Sequence, residues 1–204
     1  MLNILKLSAT IILSNFDVYL TPKNIQDLKE AIEDISEEHV KLVNKINTIS
    51  ALVDLENFDK TYYVFHAFLS VRDFCYEIMP LLQIINQQLE ESHLHPSVFT
   101  ETSGQGGNLI ELQKFYDLIK KYNVYLEKPL STHELQHYQN VLDKTNKLLN
   151  DIQLQCDFFQ ANPEDKIFFI RNLLQSYEQL SQCFDQIEQL LRISMGFVKV
   201  EGQL

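Results

Sequence analysis

Apolar residues recur every three or four positions along most of this chain, which is the spacing that places them on one face of an α-helix. The first long run starts at Thr21-Pro22, where a hydroxyl cap precedes a proline at the first helical position. The run predicts a helix of about 30 residues that ends near Val53. Its core positions, with one histidine among them, are Ile25, Leu28, Ile32, Ile35, His39, Leu42, Ile46, Ile49 and Val53.

A second long helix is predicted from Lys60 to about Ser92, because the same spacing returns after a short turn. Pro80 interrupts this pattern, but apolar residues continue on both sides of it. A proline inside a helix removes one hydrogen bond and bends the axis, so we expect this helix to continue with a kink.

The second half of the chain predicts one short helix and two further long helices. The short helix covers about residues 109–126. Ser131 and Glu134 have the spacing of a capping box, which starts the next helix. Asn162-Pro163 resembles the start of the first long helix and is predicted to begin the last one, which Gly196 ends.

These elements predict an all-α fold. Long helices of about 30 residues are roughly 45 Å long and must pack nearly parallel to bury their apolar stripes. We expect an elongated antiparallel four-helix bundle of two helical hairpins, with an extra short helix and an apolar N-terminal segment. The predicted parts of this single domain, 1–204, are the segment 1–20, the first hairpin 21–92, a flexible loop 93–108, the short helix with the second hairpin 109–195, and a tail 196–204.

Acidic residues outnumber basic ones, 28 to 17, which gives a net charge of -11. Such a chain repels phosphate backbones, so nucleic acid is not an expected partner. Several carboxylates follow the outer side of the first long helix. This acidic stripe is interpreted either as a solvated face or as a docking surface for a basic partner. Its members are Asp27, Glu30, Glu33, Asp34, Glu37 and Glu38.

The cysteines and the N-terminus bear on the compartment. Cys75, Cys156 and Cys183 are far apart and lack the spacing of a zinc knuckle, so we expect buried thiols in a reducing environment. The apolar stretch near the N-terminus lacks the cleavage pattern of a signal peptide, and no stretch is long enough to span a membrane. A cytoplasmic protein is therefore expected.

The segment His133-Glu134-Leu135-Gln136-His137 has the form HExxH. It resembles the zinc signature of the zincin metallopeptidases, in which two histidines one turn apart hold zinc. By that resemblance His133 and His137 would be ligands and Glu134 the general base, with Asp143 in the place of a third ligand.

The helical register gives the same residues other roles. With Leu135 and Tyr138 in the core, both histidines fall on the outer face, and Glu134 serves the capping box. A rival metal site joins His133 and His137 to His66, which an antiparallel bundle places at the same end. Such a trio would suit zinc or nickel.

We expect a non-catalytic protein-protein interaction module, such as an adaptor, a chaperone-like protein or a regulator, because the sequence shows no well-placed catalytic set. Its partner would be another protein or a second copy of the chain. Two alternatives stay open: a zinc-dependent hydrolase or metal-binding bundle that uses HELQH, and a membrane-active protein that uses residues 1–20. The expected partner-binding anchors are apolar and aromatic: Tyr62, Tyr63, Phe65, Ile11, Ile12 and Phe16.

Overall fold

A computed structural model describes residues 1–48, 58–92, 110–126 and 128–194. Within these ranges the chain forms six α-helices and no strand, which confirms the all-α prediction. In chain order they are α1 (Leu2–Asn15), α2 (Pro22–Thr48), α3 (Phe58–Ser92), α4 (Ile110–Lys121), α5 (Thr132–Ala161) and α6 (Lys166–Ser194).

The starts of the first two long helices agree with the sequence. Helix α2 begins at Pro22 as predicted, and α3 begins within two residues of Lys60 and continues through Pro80 to Ser92. The predicted continuation of α2 beyond Thr48, the loop 93–108 and the tail 196–204 lie outside the described residues.

The predicted start of the last helix is wrong. Helix α6 begins at Lys166, whereas Asn162 ends α5. The backbone N–H of Asn162 donates to the carbonyl of Phe158 at 2.9 Å, and its side-chain amide donates to the same carbonyl at 3.1 Å. Asn162 thus caps the end of α5, and Pro163 falls in the turn between the two helices.

The long helices pack side by side in the order α2, α3, α6, α5. Two ion pairs show that α3 and α6 are antiparallel, because Arg72 pairs with Glu188 and Glu90 with Arg171. Helices α5 and α6 are antiparallel as well: Gln155 donates to Ser176 at 3.0 Å, and the rings of Phe159 and Phe169 stack. Helix α4 packs on α5.

Residues 1–20, expected only as an apolar segment, form helix α1 followed by one 3₁₀ turn. Helix α1 contacts α5, α2 and α3. Leu5 and Ile12 are completely buried, and the ring of Phe16 lies 5.5 Å from that of Phe159 and 5.9 Å from that of Phe169. The N-terminal helix is therefore part of the hydrophobic core.

Candidate functional site

A groove of about 480 Å³ runs between α2 and α3. Its floor is apolar, since Leu28 and Leu81 are buried and Ala31 is half-buried. Carboxylates stand along both walls. The residues that line the groove are Asn24, Asp27, Leu28, Glu30, Ala31, Asp34, Glu77 and Leu81.

The helical period explains why this groove is acidic. Leu28 and Ile35 are seven residues apart, and both are buried. Asp27 and Asp34 precede them by one position each, so they lie beside the buried stripe rather than on the opposite face. Three members of the predicted acidic stripe, Asp27, Glu30 and Asp34, therefore line the groove, and all three remain exposed to solvent.

The opposite wall is supplied by Glu77 of α3. Partial burial raises the pKa of its carboxyl group, and repulsion from Asp73, Asp34 and Asp27 raises it further. Within the described ranges, no ion pair involves Asp27, Asp34 or Glu77. Glu30 accepts a hydrogen bond from the amide of the neighbouring Gln26 at 2.6 Å, which leaves its charge in place. The groove thus holds several negative charges that no cation of the described chain neutralises by direct contact.

Of the aromatic anchors predicted on α3, the structure describes the side chain of Phe65, which is not exposed. Phe65 is buried, and the guanidinium carbon of Arg192 lies 5.3 Å from the centre of its ring. Phe65 is thus a core residue covered by a cation, and the prediction that it is an accessible anchor is corrected. The side chains of Tyr62 and Tyr63 lie outside what the structure describes, although their backbone is helical.

The N-terminal anchors are corrected in the same way. Ile11 is buried, and Ile12 and Phe16 are completely buried among α1 and its neighbours. A docking residue must be reachable from solvent, whereas these side chains complete the core of their own chain. The periodicity of residues 1–20 could not reveal this, because apolar helix faces that bind a partner and those that pack internally have the same pattern.

The HELQH segment forms the start of α5. The hydroxyl of Ser131 accepts from the backbone N–H of Glu134 at 3.2 Å, and the Glu134 carboxylate accepts from the backbone N–H of Ser131 at 2.8 Å. These bonds confirm the predicted capping box. Hydrogen bonds from the Ser131 hydroxyl and backbone lower the pKa of Glu134, which makes it a weaker proton acceptor than a general base needs to be.

The histidines of this segment are not gathered into a metal site. His133 and His137 are exposed, as the heptad register predicted, and His66 is half-buried on α3. Asp143, the third ligand implied by the zincin resemblance, accepts from Gln139 at 3.0 Å. Across the described part of the chain, no three His, Cys, Asp or Glu side chains are arranged so that they could hold a metal ion. The trio of His66, His133 and His137 is therefore not assembled.

A polar cluster between α3 and α6 was not predicted from the sequence. The carboxylate of Glu188 pairs with Arg72 of α3 and with Arg192 at 2.6 Å, while the hydroxyl of Tyr76 donates to Asp185. The only sequence signal is that Glu188 and Arg192 lie four residues apart on one helix. The cluster ties α3 to α6, and its charges are paired, unlike those of the α2–α3 groove.

None of the helices in the described ranges has both the length and the hydropathy that crossing a membrane requires. No family model matches the chain, and comparisons with curated proteins and with solved structures gave no significant match.

Proposed function

We propose that this protein is a non-catalytic helical interaction module that binds a basic partner protein at the α2–α3 groove. The observation that carries the proposal is the groove itself, in which an apolar floor is bordered by the carboxylates of Asp27, Asp34 and Glu77, none of which pairs with a cation among the described residues. Burial of apolar surface and neutralisation of charge would both favour a cationic occupant.

The electrostatic surroundings of the Glu77 carboxyl group also favour a basic partner. Its carboxyl is partly removed from water and repelled by Asp73, Asp34 and Asp27, so its ionisation is less favourable than that of an ordinary glutamate. A lysine or arginine brought into the groove would relieve that repulsion. Interactions of this kind are stronger when they are partly shielded from solvent, and they also speed the encounter of oppositely charged partners.

The net charge of -11 favours one of the two partners that the sequence left open. A second copy of the chain would bring the same excess of negative charge to the interface, and like charges repel. Nucleic acid would be repelled for the same reason. A different protein with a basic segment is therefore the favoured partner.

We further propose that the four long helices form the predicted elongated antiparallel bundle, with α1 between α2 and α5. The contacts of α1 with both of these helices support this arrangement.

We propose the cytoplasm as the compartment, because Cys75, Cys156 and Cys183 are free and buried. Burial raises the pKa of Cys156 to about 12, so this thiol is unreactive.

The proposal is tested by titrating the full chain with a fluorescent lysine- and arginine-rich peptide and measuring the dissociation constant by anisotropy. The groove variant carries Asp27→Asn and Asp34→Asn together. The matched control is Asp157→Asn on α5, an exposed aspartate that accepts a hydrogen bond from Gln153, four residues earlier. We expect the groove variant to bind about tenfold more weakly, or about 1.4 kcal/mol, and the control to bind like the wild type.

Salt supplies a second readout. The affinity of the wild type should fall as ionic strength rises, because the attraction is screened over about 10 Å at 0.1 M salt. Equal binding by the groove variant and the Asp157→Asn control would show that the peptide does not use the groove. Absence of binding to the wild type at low salt would overturn the proposal altogether.

A further inference from the structure

We infer that the occupant of the α2–α3 groove is an amphipathic, cationic α-helix of about three turns, supplied by the partner. This inference rests on the proposed function and adds the conformation and side-chain pattern of the bound segment. It follows from the nature of the groove walls, the spacing of the lining residues and the position of the carboxylates.

The walls restrict the kind of contact that the groove offers. Both are α-helices, in which most backbone N–H and C=O groups bond within the helix, although Pro80 removes one such bond from α3. An extended peptide binds best by adding a strand to a free sheet edge, and the described part of this chain has no sheet. Recognition in this groove must therefore go through side chains, as it does when a helix lies in a groove between other helices.

The spacing of the lining residues sets the length of the occupant. On α2 they run from Asn24 to Asp34 and recur at the three- and four-residue intervals of one helix face. At 1.5 Å per residue this face is about 15 Å long, which equals about ten residues of a helix aligned with the groove. Ala31 lies near the middle of the floor, and its small side chain allows a close approach of the partner helix.

The positions of the carboxylates that border the groove determine the charge pattern expected of the bound helix. Asp27, Glu30 and Asp34 border the floor on the α2 side, and Glu77 borders it on the α3 side. A complementary helix has a stripe of small and aliphatic residues in contact with Leu28, Ala31 and Leu81, and lysine or arginine on both flanks of that stripe. Such long basic side chains also cover apolar surface with their methylene groups while their charged ends reach the walls.

Two synthetic peptides of identical composition test the inference. In the first, lysines and leucines are spaced so that a helix carries an apolar stripe between two basic flanks. In the second, the same residues alternate with period two, which abolishes that pattern in a helix. We expect the full chain to bind the first peptide at least about tenfold more tightly, and circular dichroism to show that this peptide gains helix on binding.

A substitution in the floor of the α2–α3 groove tests whether the preference for the helical peptide arises in this groove. Ala31→Leu fills the groove and should remove the preference for the helical peptide, whereas Ala161→Leu at the exposed end of α5 should leave it intact. Glu77→Gln provides an independent variant, because it removes a repelled charge and should not disturb folding. It should weaken binding of the helical peptide more than binding of the permuted one.

The outcomes separate the two proposals. If neither peptide binds the wild type, the proposed function fails, and this inference fails with it. Equal binding of both peptides would retain a basic partner but overturn the helical occupant. Binding of a linear polyamine as tightly as the helical peptide would also overturn it, since the groove would then be a site for small cations.

Discussion

The hydroxyl oxygens of Ser8 and Tyr177 lie 2.7 Å apart in the interior, and neither side chain is accessible to solvent. Ser8 donates its own hydrogen to the carbonyl of Leu5 at 2.8 Å, so the hydroxyl of Tyr177 is the donor in the bond between the two helices. Burial raises the pKa of Tyr177 well above its ordinary value and keeps this donor protonated. This buried hydrogen bond joins α1 to α6, and Lys166 at the start of α6 adds another by donating to the carbonyl of Asn15 at 3.2 Å.

This bond predicts an asymmetry between two conservative substitutions. Tyr177→Phe leaves Ser8 with its Leu5 partner and should lower the free energy of unfolding by about 1 kcal/mol. Ser8→Ala leaves a buried tyrosine hydroxyl without an acceptor and should cost more, up to about 3 kcal/mol. Urea unfolding of both variants measures the difference.

The double variant completes this test. Once Ser8→Ala has removed the acceptor, Tyr177→Phe removes the unsatisfied donor, so the double variant should be less destabilised than the sum of the single variants. Strict additivity would mean that the two hydroxyls do not interact in solution and that this bond does not hold α1 in place.

Phe16 tests whether α1 belongs to the core. Its completely buried ring contacts Phe159 and Phe169, so Phe16→Ala should destabilise the protein by about 3 to 5 kcal/mol through lost burial and a residual cavity. Val18, two residues later, is 76% exposed, and Val18→Ala should change stability by less than about 0.5 kcal/mol. Thermal unfolding of both variants measures the two losses of stability. Similarly small losses would mean that α1 is not part of the core and can detach from it.

The sequence predicted where the helices begin better than it predicted which of their side chains are exposed to solvent. The apolar spacing, the Thr21-Pro22 start and the Ser131 cap are local features, and they located the starts of α2, α3 and α5 to within two residues. Whether Phe16 or Phe65 faces solvent depends on which helix packs against it, and this is a long-range property that a periodic pattern does not contain. The start of α6 was misplaced because Asn162 suits the end of one helix as well as the start of another.

The capping box predicts a structural role for the first residues of α5. Ser131→Ala removes the acceptor for the Glu134 backbone N–H and should destabilise the protein by about 1 kcal/mol. His137→Ala changes only an exposed side chain of the same segment and should have little effect on urea unfolding. A larger loss from His137→Ala than from Ser131→Ala would contradict this account of HELQH.

Glu77 predicts a dependence of stability on pH. Its pKa is raised in the folded protein above the unfolded value of about 4.3, so the folded state holds the proton more tightly. The resulting contribution to stability is complete below about pH 4.3 and is lost as pH rises through the folded pKa. Glu77→Gln mimics the protonated group, and it should therefore be more stable than the wild type at pH 7 and approach it as pH falls.

Unfolding curves of the wild type and Glu77→Gln across this pH range measure the effect. Glu178→Gln on α6, outside the groove, reports the effect of the same substitution without the acidic neighbours. A wild type that is more stable than Glu77→Gln at neutral pH would show that a cation already compensates this carboxylate.

Part of the candidate site could also be predicted from the sequence. Asp27, Glu30 and Asp34 belong to the acidic stripe of one helix and are visible in its periodicity. Glu77 is distant in sequence and is an unremarkable exposed position of α3 until the two helices pack together. The groove exists only in that pairing, which is why the stripe alone favoured a solvated face over a docking surface.

Methyl NMR of the full chain with the amphipathic lysine-leucine peptide asks whether a basic helix occupies the α2–α3 groove. We expect the methyl signals of Leu28, Ala31 and Leu81 to shift on titration, while that of Val124, which is exposed and outside the groove lining, does not. Shifts confined to methyl groups outside the groove, with those three signals unchanged, would contradict it.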